Sequence, residues 1–319
     1  MSRGITLMGM RIDDMSEPEA LEKIFTALDA GHGGTVITAH LEILRQHCTR
    51  PALRSLFEKA DLVLADGQPL VWASRIKRTP LPERVAGSDL VWSLMAECAL
   101  RDRSVYLLGG APGVCEGAVS KLREAYPGLR IAGVHSLPMG FEADPDGMAS
   151  IRVRLRAARP DVVLVALGFP KQERVIAELR PDFPAIWFVG VGVSLSFIAG
   201  HVARAPDWAI RLGLEWLHRL LQEPRRLFGR YVVHGLPFAA RLFAHAAGSR
   251  LLRGGGQPPP APRATPTEPL GTVTRVVFHH GALERRRMRE LADIVEHDAT
   301  PDHSRSPATP LRPRAGMEP

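Results

Sequence analysis

The residues best suited to chemistry stand where short apolar runs give way to glycine. Ala65-Asp66-Gly67 offers a carboxylate able to take a proton, beside a residue free to turn. Thr38-Ala39-His40 ends another apolar run with a hydroxyl and an imidazole. Gly109-Gly110-Ala111-Pro112-Gly113 precedes a helical pattern, whose free N–H groups and dipole favour a phosphate. It is neither a Walker A loop nor a full GxGxxG. Gly168-Phe169-Pro170-Lys171-Gln172-Glu173 is another glycine turn opening a helix, with an amide near its start, and Gly190-Val191-Gly192 is a third. In PERVAGSD (82–89), Arg84 could pair with a phosphate, and Ser88 or Asp89 could cap the next helix. Each has a plainer reading. Asp-Gly is a common turn, and Arg84 could form an ordinary surface ion pair. Asp144-Pro145-Asp146 has a spacing suited to a divalent metal, but its Glu-, Pro- and Gly-rich surroundings read as an acidic turn.

The elements that must position these residues alternate. Apolar runs at 35–38, 62–65, 105–108, 130–134, 162–167 and 185–189 read as strands, with helical periodicity at 19–30, 90–100 and 114–126. That alternation predicts an α/β fold, a Rossmann-like and mainly parallel sheet with helices on both faces. Ligands of such sheets sit at the carboxyl ends of the strands, where the residues above fall. Residues 183–203 carry no formal charge and approach bilayer-spanning length, but Pro184, Gly190, Gly192 and Gly200 divide them into a strand, a turn and a short helix. The N-terminus has no signal-peptide pattern. Cys48, Cys98 and Cys115 form no CxxC pair, which excludes a zinc ribbon, a thioredoxin site and a disulfide framework and points to a reducing compartment. His279-His280 lacks further ligands at coordinating spacing.

The formal charge of +7 is concentrated. Residues 1–200 carry 23 basic and 23 acidic side chains, whereas 201–253 carry nine arginines against Asp207, Glu215 and Glu223. Trp208, Leu212, Trp216 and Leu220 recur at i, i+4 as one helical stripe, with Arg211, Glu215 and Arg219 on the neighbouring stripe. Arg225, Arg226, Arg230, Tyr231, Phe238, Leu242 and Phe243 follow. Such a segment suits an anionic membrane surface, or equally a helix packed on its own domain with a solvated arginine face. No helix-turn-helix or RNA-binding signature accompanies the charge, so nucleic acid is not an expected partner. Three parts are expected: an α/β catalytic domain (1–200), a basic amphipathic helical appendage (201–253) and a tail (254–319). The tail holds eleven of the 27 prolines and only a marginal strand-helix pair at 272–296.

Asp66-Gly67, PERVAGSDL (82–90), GFPKQE (168–173), GVG (190–192), AGHVARAP (199–206) and GLEWLHRLLQEPRRLFGRY (213–231) occur in the order found in the WecG/TagA/CpsF glycosyltransferases. Over roughly residues 5–235 the chain resembles that family. The resemblance implies an inverting, metal-independent transferase, without cofactor, peripheral on the cytoplasmic face of the plasma membrane. Such enzymes move a sugar from a UDP-sugar to a polyprenyl-diphosphate-linked saccharide in cell-surface polysaccharide synthesis. It implies Asp66 as general base and Arg84 as the charge that offsets the departing UDP. Thr38, His40, Gly67, Gly109, Gly110, Gln172 and Gly192 are then expected around the substrates. Arg211, Arg219, Arg225, Arg226 and Arg230 would meet the membrane or the acceptor diphosphate on an appendage that closes over the site. A homo-oligomer stays open. Two residues depart from the family: His40 stands where Asn is common, and Ser196 where Asp is frequent. Two alternatives remain. Against a nucleotide-sugar-binding α/β enzyme of another type, such as an epimerase, no complete dinucleotide fingerprint follows any of the strands. A non-catalytic basic binding protein would leave Asp66, Arg84 and Gln172 idle.

Overall fold

The run Val-Val-Leu-Val-Ala at 162–166 is apolar at every position, so a strand formed from it must be covered on both faces. In the computed structural model, which describes residues 4–138, 140–211 and 213–252, six such runs form one sheet. A hairpin of β1 (Gly4–Leu7) and β2 (Met10–Asp13) comes first, then α1 (Glu17–Asp29) and the sheet strand β3 (Gly34–Ala39). Helices α2 (Leu41–Thr49) and α3 (Arg54–Glu58) lead to β4 (Leu62–Ala65), and α4 (Gln68–Ile76) and α5 (Gly87–Leu100) lead to β5 (Ser104–Gly109). Then follow α6 (Val114–Ala125), β6 (Arg130–His135), α7 (Pro145–Ala158), β7 (Val162–Ala166), α8 (Lys171–Leu179), β8 (Trp187–Gly190) and α9 (Ser194–Ile198).

The sheet order is β4-β3-β8-β7-β5-β6, and every pairing in it is parallel. Alternate side chains divide the core. Val36, Leu64, Leu107, Leu164 and Val189 face α1, α5, α6 and α9. On the other face Ile37, Ala39, Val63 and Ala65 meet the hairpin and α2, α3 and α4, while Tyr106, Val163, Val165 and Phe188 meet α7 and α8. All six expected strands are present, each shifted by no more than two residues at either end. The hairpin was not expected. Its two-residue turn, Met8-Gly9, places both φ angles positive (46° and 86°), and Met-Gly carries none of the usual sequence signals for that turn.

Residues 183–203 form a strand, a glycine turn and a short helix, as the sequence suggests; among the described residues no helix is long and apolar enough to cross a membrane. Asp144 accepts the Asp146 N–H at 3.0 Å and caps α7, which is the acidic-turn reading. The expected single stripe from Trp208 to Leu220 is corrected. The helix stops after α10 (Asp207–Arg211) and restarts as α11 (Glu215–Gln222). Gly213 has φ +71°, and the Leu214 N–H closes on the Ala209 carbonyl at 2.7 Å, a helix-ending geometry that glycine favours. Trp208 is therefore exposed, whereas Trp216 stands edge-on to Tyr231 with ring centroids 6.2 Å apart.

Beyond α11 the chain runs through α12 (Pro224–Phe228), a π-helical turn (Gly229–Gly235) and α13 (Leu236–Leu252). Phe238, Leu242 and Ala246, spaced i, i+4, i+8, are buried against α4 and the β3–β4 half of the core. For this stripe the packed reading holds. The tail beyond 253, with the 272–296 pair and His279-His280, lies outside the described residues. Leu242→Ala removes a fully buried side chain from that contact. It is expected to cost about 2–4 kcal/mol, read by denaturant unfolding of the full chain.

Candidate active site

Since all six strands run one way, their carboxyl ends share one edge, with β4 and β3 at one side of it. The Asp66 N–H donates to the Ala39 carbonyl at 2.8 Å, and Val85 N–H to the Ala65 carbonyl at 2.9 Å, so the PERVAGSD segment is pinned against the end of β4. Gly67 follows with φ +155°, a conformation side chains rarely adopt. The Asp66 carboxylate accepts the Gly87 N–H at 3.2 Å. Gly87 can begin α5 here because it lacks a side chain: a Cβ would lie 2.8 Å from the Thr38 hydroxyl. Burial raises the Asp66 carboxyl from its ordinary 3.8 to about 6, against the lowering pull of Arg84 and with the Glu215 and Asp89 charges adding to the rise.

Arg84 is 15% exposed and holds two carboxylates, Glu215 on α11 at 3.2 Å and Asp89 on α5 at 3.5 Å. Arg204 is a second partner of Asp89. Asp89 therefore does not cap α5, and neither does Ser88. The helix begins at Gly87 after Ala86, and the Asp89 side chain turns to the two guanidinium groups. Arg84 is in ion pairs, as its plain reading has it; the pair with Asp89 is local and partly open to solvent, whereas the pair with Glu215 is recessed and reaches across the fold.

A second network borders β3. Gln172 is buried. Its carbonyl oxygen accepts the Gly192 N–H at 3.0 Å, and its Nε2–H donates to Glu173 at 2.8 Å. Gly190, opposite Ile37 of β3, leaves room for this amide; a Cβ there would sit 2.7 Å from Gln172 Nε2. Burial pushes the Glu173 carboxyl from 4.5 up to about 7, and its Oε2 has no partner. Gly109 and Gly110 (φ +99° and +78°) end β5, and the Gly110 N–H donates to the Ala166 carbonyl at 2.8 Å. Two strands stand between β5 and β3, so this loop lies roughly 14 Å along the edge from Thr38 at ordinary strand spacing.

The arginines proposed for the C-terminal segment fall into two sets. Arg230 places Nη2 3.3 Å from His40 Nε2, which accepts as a neutral ring nitrogen. Burial first, and then the Arg230 charge, push the His40 ring down to about 3. Arg219 lies over the Phe197 ring at 5.7 Å. The Nε atoms of Arg204, Arg219 and Arg230 are buried without partners. Arg225 and Arg226 face outward, Arg226 bridging to Glu223 at 2.5 Å, among the exposed Leu221, Phe228, Val233 and Leu236. The Arg211 side chain lies outside the described residues. Ser196 is the third residue of α9 and does not cap it; the preceding cap position is Val193.

Sequence reasoning missed Glu215, Arg204 and Glu173, and gave Asp89 the wrong role. Glu215 had one signal, its place between Arg211 and Arg219 on a single stripe. The others had none, because their partners lie over a hundred residues away or beside them in the chain.

The profile described as "Glycosyl transferase WecG/TagA/CpsF family" matches residues 5–251. The N-acetylglucosaminyldiphosphoundecaprenol N-acetyl-beta-D-mannosaminyltransferase of Bacillus spizizenii W23 is 35% identical over 201 residues, 63% of this chain and 76% of that protein. The protein of the same name from Bacillus subtilis 168 is 34% identical over 206 residues, 65% of this chain and 77% of that one.

The buried Glu173 sets a pH test. Its folded value of about 7 lies above its ordinary 4.5, so folding favours the protonated form. Stability from this group is present below about pH 4.5 and declines as pH rises through 7. Glu173→Gln, whose carbonyl still accepts from Gln172, is expected to raise the melting temperature by a few degrees at pH 8 and to change it little at pH 4.5, as followed by circular dichroism.

Proposed function

Because this chain belongs to the WecG/TagA/CpsF glycosyltransferase family, we propose that it moves a sugar from a UDP-sugar to a saccharide linked to a polyprenyl diphosphate, with inversion and without a metal ion. The observation that carries the reading is Asp66, a strand-end carboxylate held by the Gly87 N–H, raised to about 6 and set beside Arg84. In the reaction, Asp66 takes the proton of the acceptor hydroxyl as that oxygen attacks the anomeric carbon. Attack comes from the face opposite the departing diphosphate. The bond from that carbon to the phosphate oxygen breaks, its electron pair leaves with UDP, and the configuration inverts. The Arg84 guanidinium offsets the charge gathering on UDP, and Arg219 and Arg230 meet the acceptor diphosphate. Thr38, His40, Gly67, Gln172 and Gly192 line the same stretch of sheet edge, and Gly109-Gly110 lies at the distance of the far end of a nucleotide. The names of the two relatives make an N-acetylmannosamine donor and an N-acetylglucosaminyl-diphosphoundecaprenol acceptor the first pair to try.

An acceptor held in the membrane by its lipid, together with a UDP-sugar donor, supports work at the inner face of the plasma membrane. The outward set of arginines, with the exposed Leu221, Phe228, Val233 and Leu236, suits anionic headgroups and the acyl boundary. Deleting 201–253 would also strip Leu227, Phe238 and Leu242 from the core, so charge reversal is the cleaner test. Arg225→Glu with Arg226→Glu is expected to abolish co-sedimentation with phosphatidylglycerol vesicles at physiological salt. Unchanged binding would remove this surface from the proposal.

Transfer from labelled UDP-sugars to polyprenyl-diphosphate-linked acceptors, with EDTA present, tests the chemistry. Asp66→Asn is expected to lower the rate by about 10²–10⁴. A base must be ionised to act, so kcat/KM of the wild type falls about tenfold per pH unit below about pH 6. Equal transfer by wild type and Asp66→Asn would take Asp66 out of the mechanism.

A further inference from the structure

A diphosphate arriving at Arg84 meets a guanidinium that is already occupied. Its Nη1 lies 3.2 Å from Glu215 Oε2, its Nη2 lies 3.5 Å from Asp89 Oδ2, and little of it is exposed. We propose that Glu215 is a positioning residue that acts through Arg84: it holds the guanidinium in the site and yields it to the diphosphate of the nucleotide donor. This rests on the reading of Arg84 as a diphosphate partner.

Three observations single out Glu215 rather than Asp89 as the carboxylate that gives way. Asp89 is also bridged by Arg204, so it keeps a counter-charge when Arg84 changes partner. It stands on α5, whose first turn is pinned at Gly87 between Asp66 and Thr38. Glu215 begins α11, just after the break at Gly213, in a segment with no strand anchoring it. Charge points the same way. Asp66, Asp89 and Glu215 face Arg84 and Arg204, three carboxyl groups against two guanidinium groups. A diphosphate added to Arg84 without any release would meet a guanidinium that two carboxylates already offset. Arg204, which also holds Asp89, has a buried Nε without a partner, a further donor for the incoming anion beside Arg84.

Binding of UDP to the full chain, measured by calorimetry, tests this with wild type, Glu215→Gln, Arg84→Ala and the double variant, each checked for folding by its melting curve. Glu215→Gln is expected to bind UDP about tenfold more tightly, because one opposing charge is gone. A bridge that only braced the fold would weaken binding when cut. Arg84→Ala is expected to bind more weakly, and the gain from Glu215→Gln to vanish in its background. Glu215→Asp, which keeps the charge and lengthens the bridge, is expected to fall between wild type and Glu215→Gln, and it stands in if Glu215→Gln fails to fold. Weakened binding by Arg84→Ala with no tightening by Glu215→Gln would overturn the inference and leave the role of Arg84 intact. Tightening that survives in the double variant would overturn action through Arg84. Unchanged binding by Arg84→Ala, or no binding by wild type, would overturn the donor reading and the inference with it.

Discussion

A strand that is apolar on both sides, as at 162–166, has to be covered above and below, and the crossover helices that cover it force its neighbours to run parallel. Six strands built under that constraint put all their carboxyl ends on one edge. The backbone beyond each end has no further ladder to join, so it turns, and at β4, β5, β7 and β8 glycine is where it turns. Asp66-Gly67, Gly109-Gly110 and Gly190 through Gly192 are the local results. Residues 38, 66 and 192 come to adjacent strand ends because β4, β3 and β8 are adjacent in the sheet, although Gly192 lies more than a hundred residues from the other two.

Close approach then sets the electrostatics. Gly87 lets α5 start against Thr38 and present its N–H to Asp66; Gly190 lets the Gln172 amide lie against the sheet. The price of that closeness is desolvation, which raises Asp66 and Glu173 and lowers His40. A carboxyl near 6 is close to the working pH of a general base. Glu173 is not exposed to the site; its carboxyl orients the Gln172 amide so that the carbonyl oxygen faces the Gly192 N–H.

The C-terminal segment does two things with one composition. Phe238, Leu242 and Ala246 join the core, while the chain before them carries arginines on two sides. Arg219 and Arg230 lean inward toward His40 and Phe197, and Arg225 and Arg226 lean outward. Glu215 crosses to Arg84, so the segment and the sheet edge share one chain of ion pairs. The outward pair Arg225–Arg226 falls between two inward arginines, Arg219 before it and Arg230 after it.

What the sequence determined by itself was the periodic part. Runs of β-branched and leucine residues between helical stretches dictated six strands, the parallel class and the edge on which function would gather, since burial on both faces and the 2.0 and 3.6 periods are local properties of the chain. The edge positions of Thr38, Asp66 and Gln172 were legible because a polar residue at or just past the end of an apolar run has nowhere to go but that edge, whereas Arg84 reaches it only because Val85 is pinned to the end of β4. The division of the arginines, the Glu215–Arg84 bridge and the capture of Asp89 by two guanidinium groups were decided only in three dimensions. Each joins residues from different elements, at separations where composition carries no information about distance. The hairpin at 4–13 and the break at Gly213 belong with them: backbone angles at one or two residues decided both, and periodicity averages over such positions.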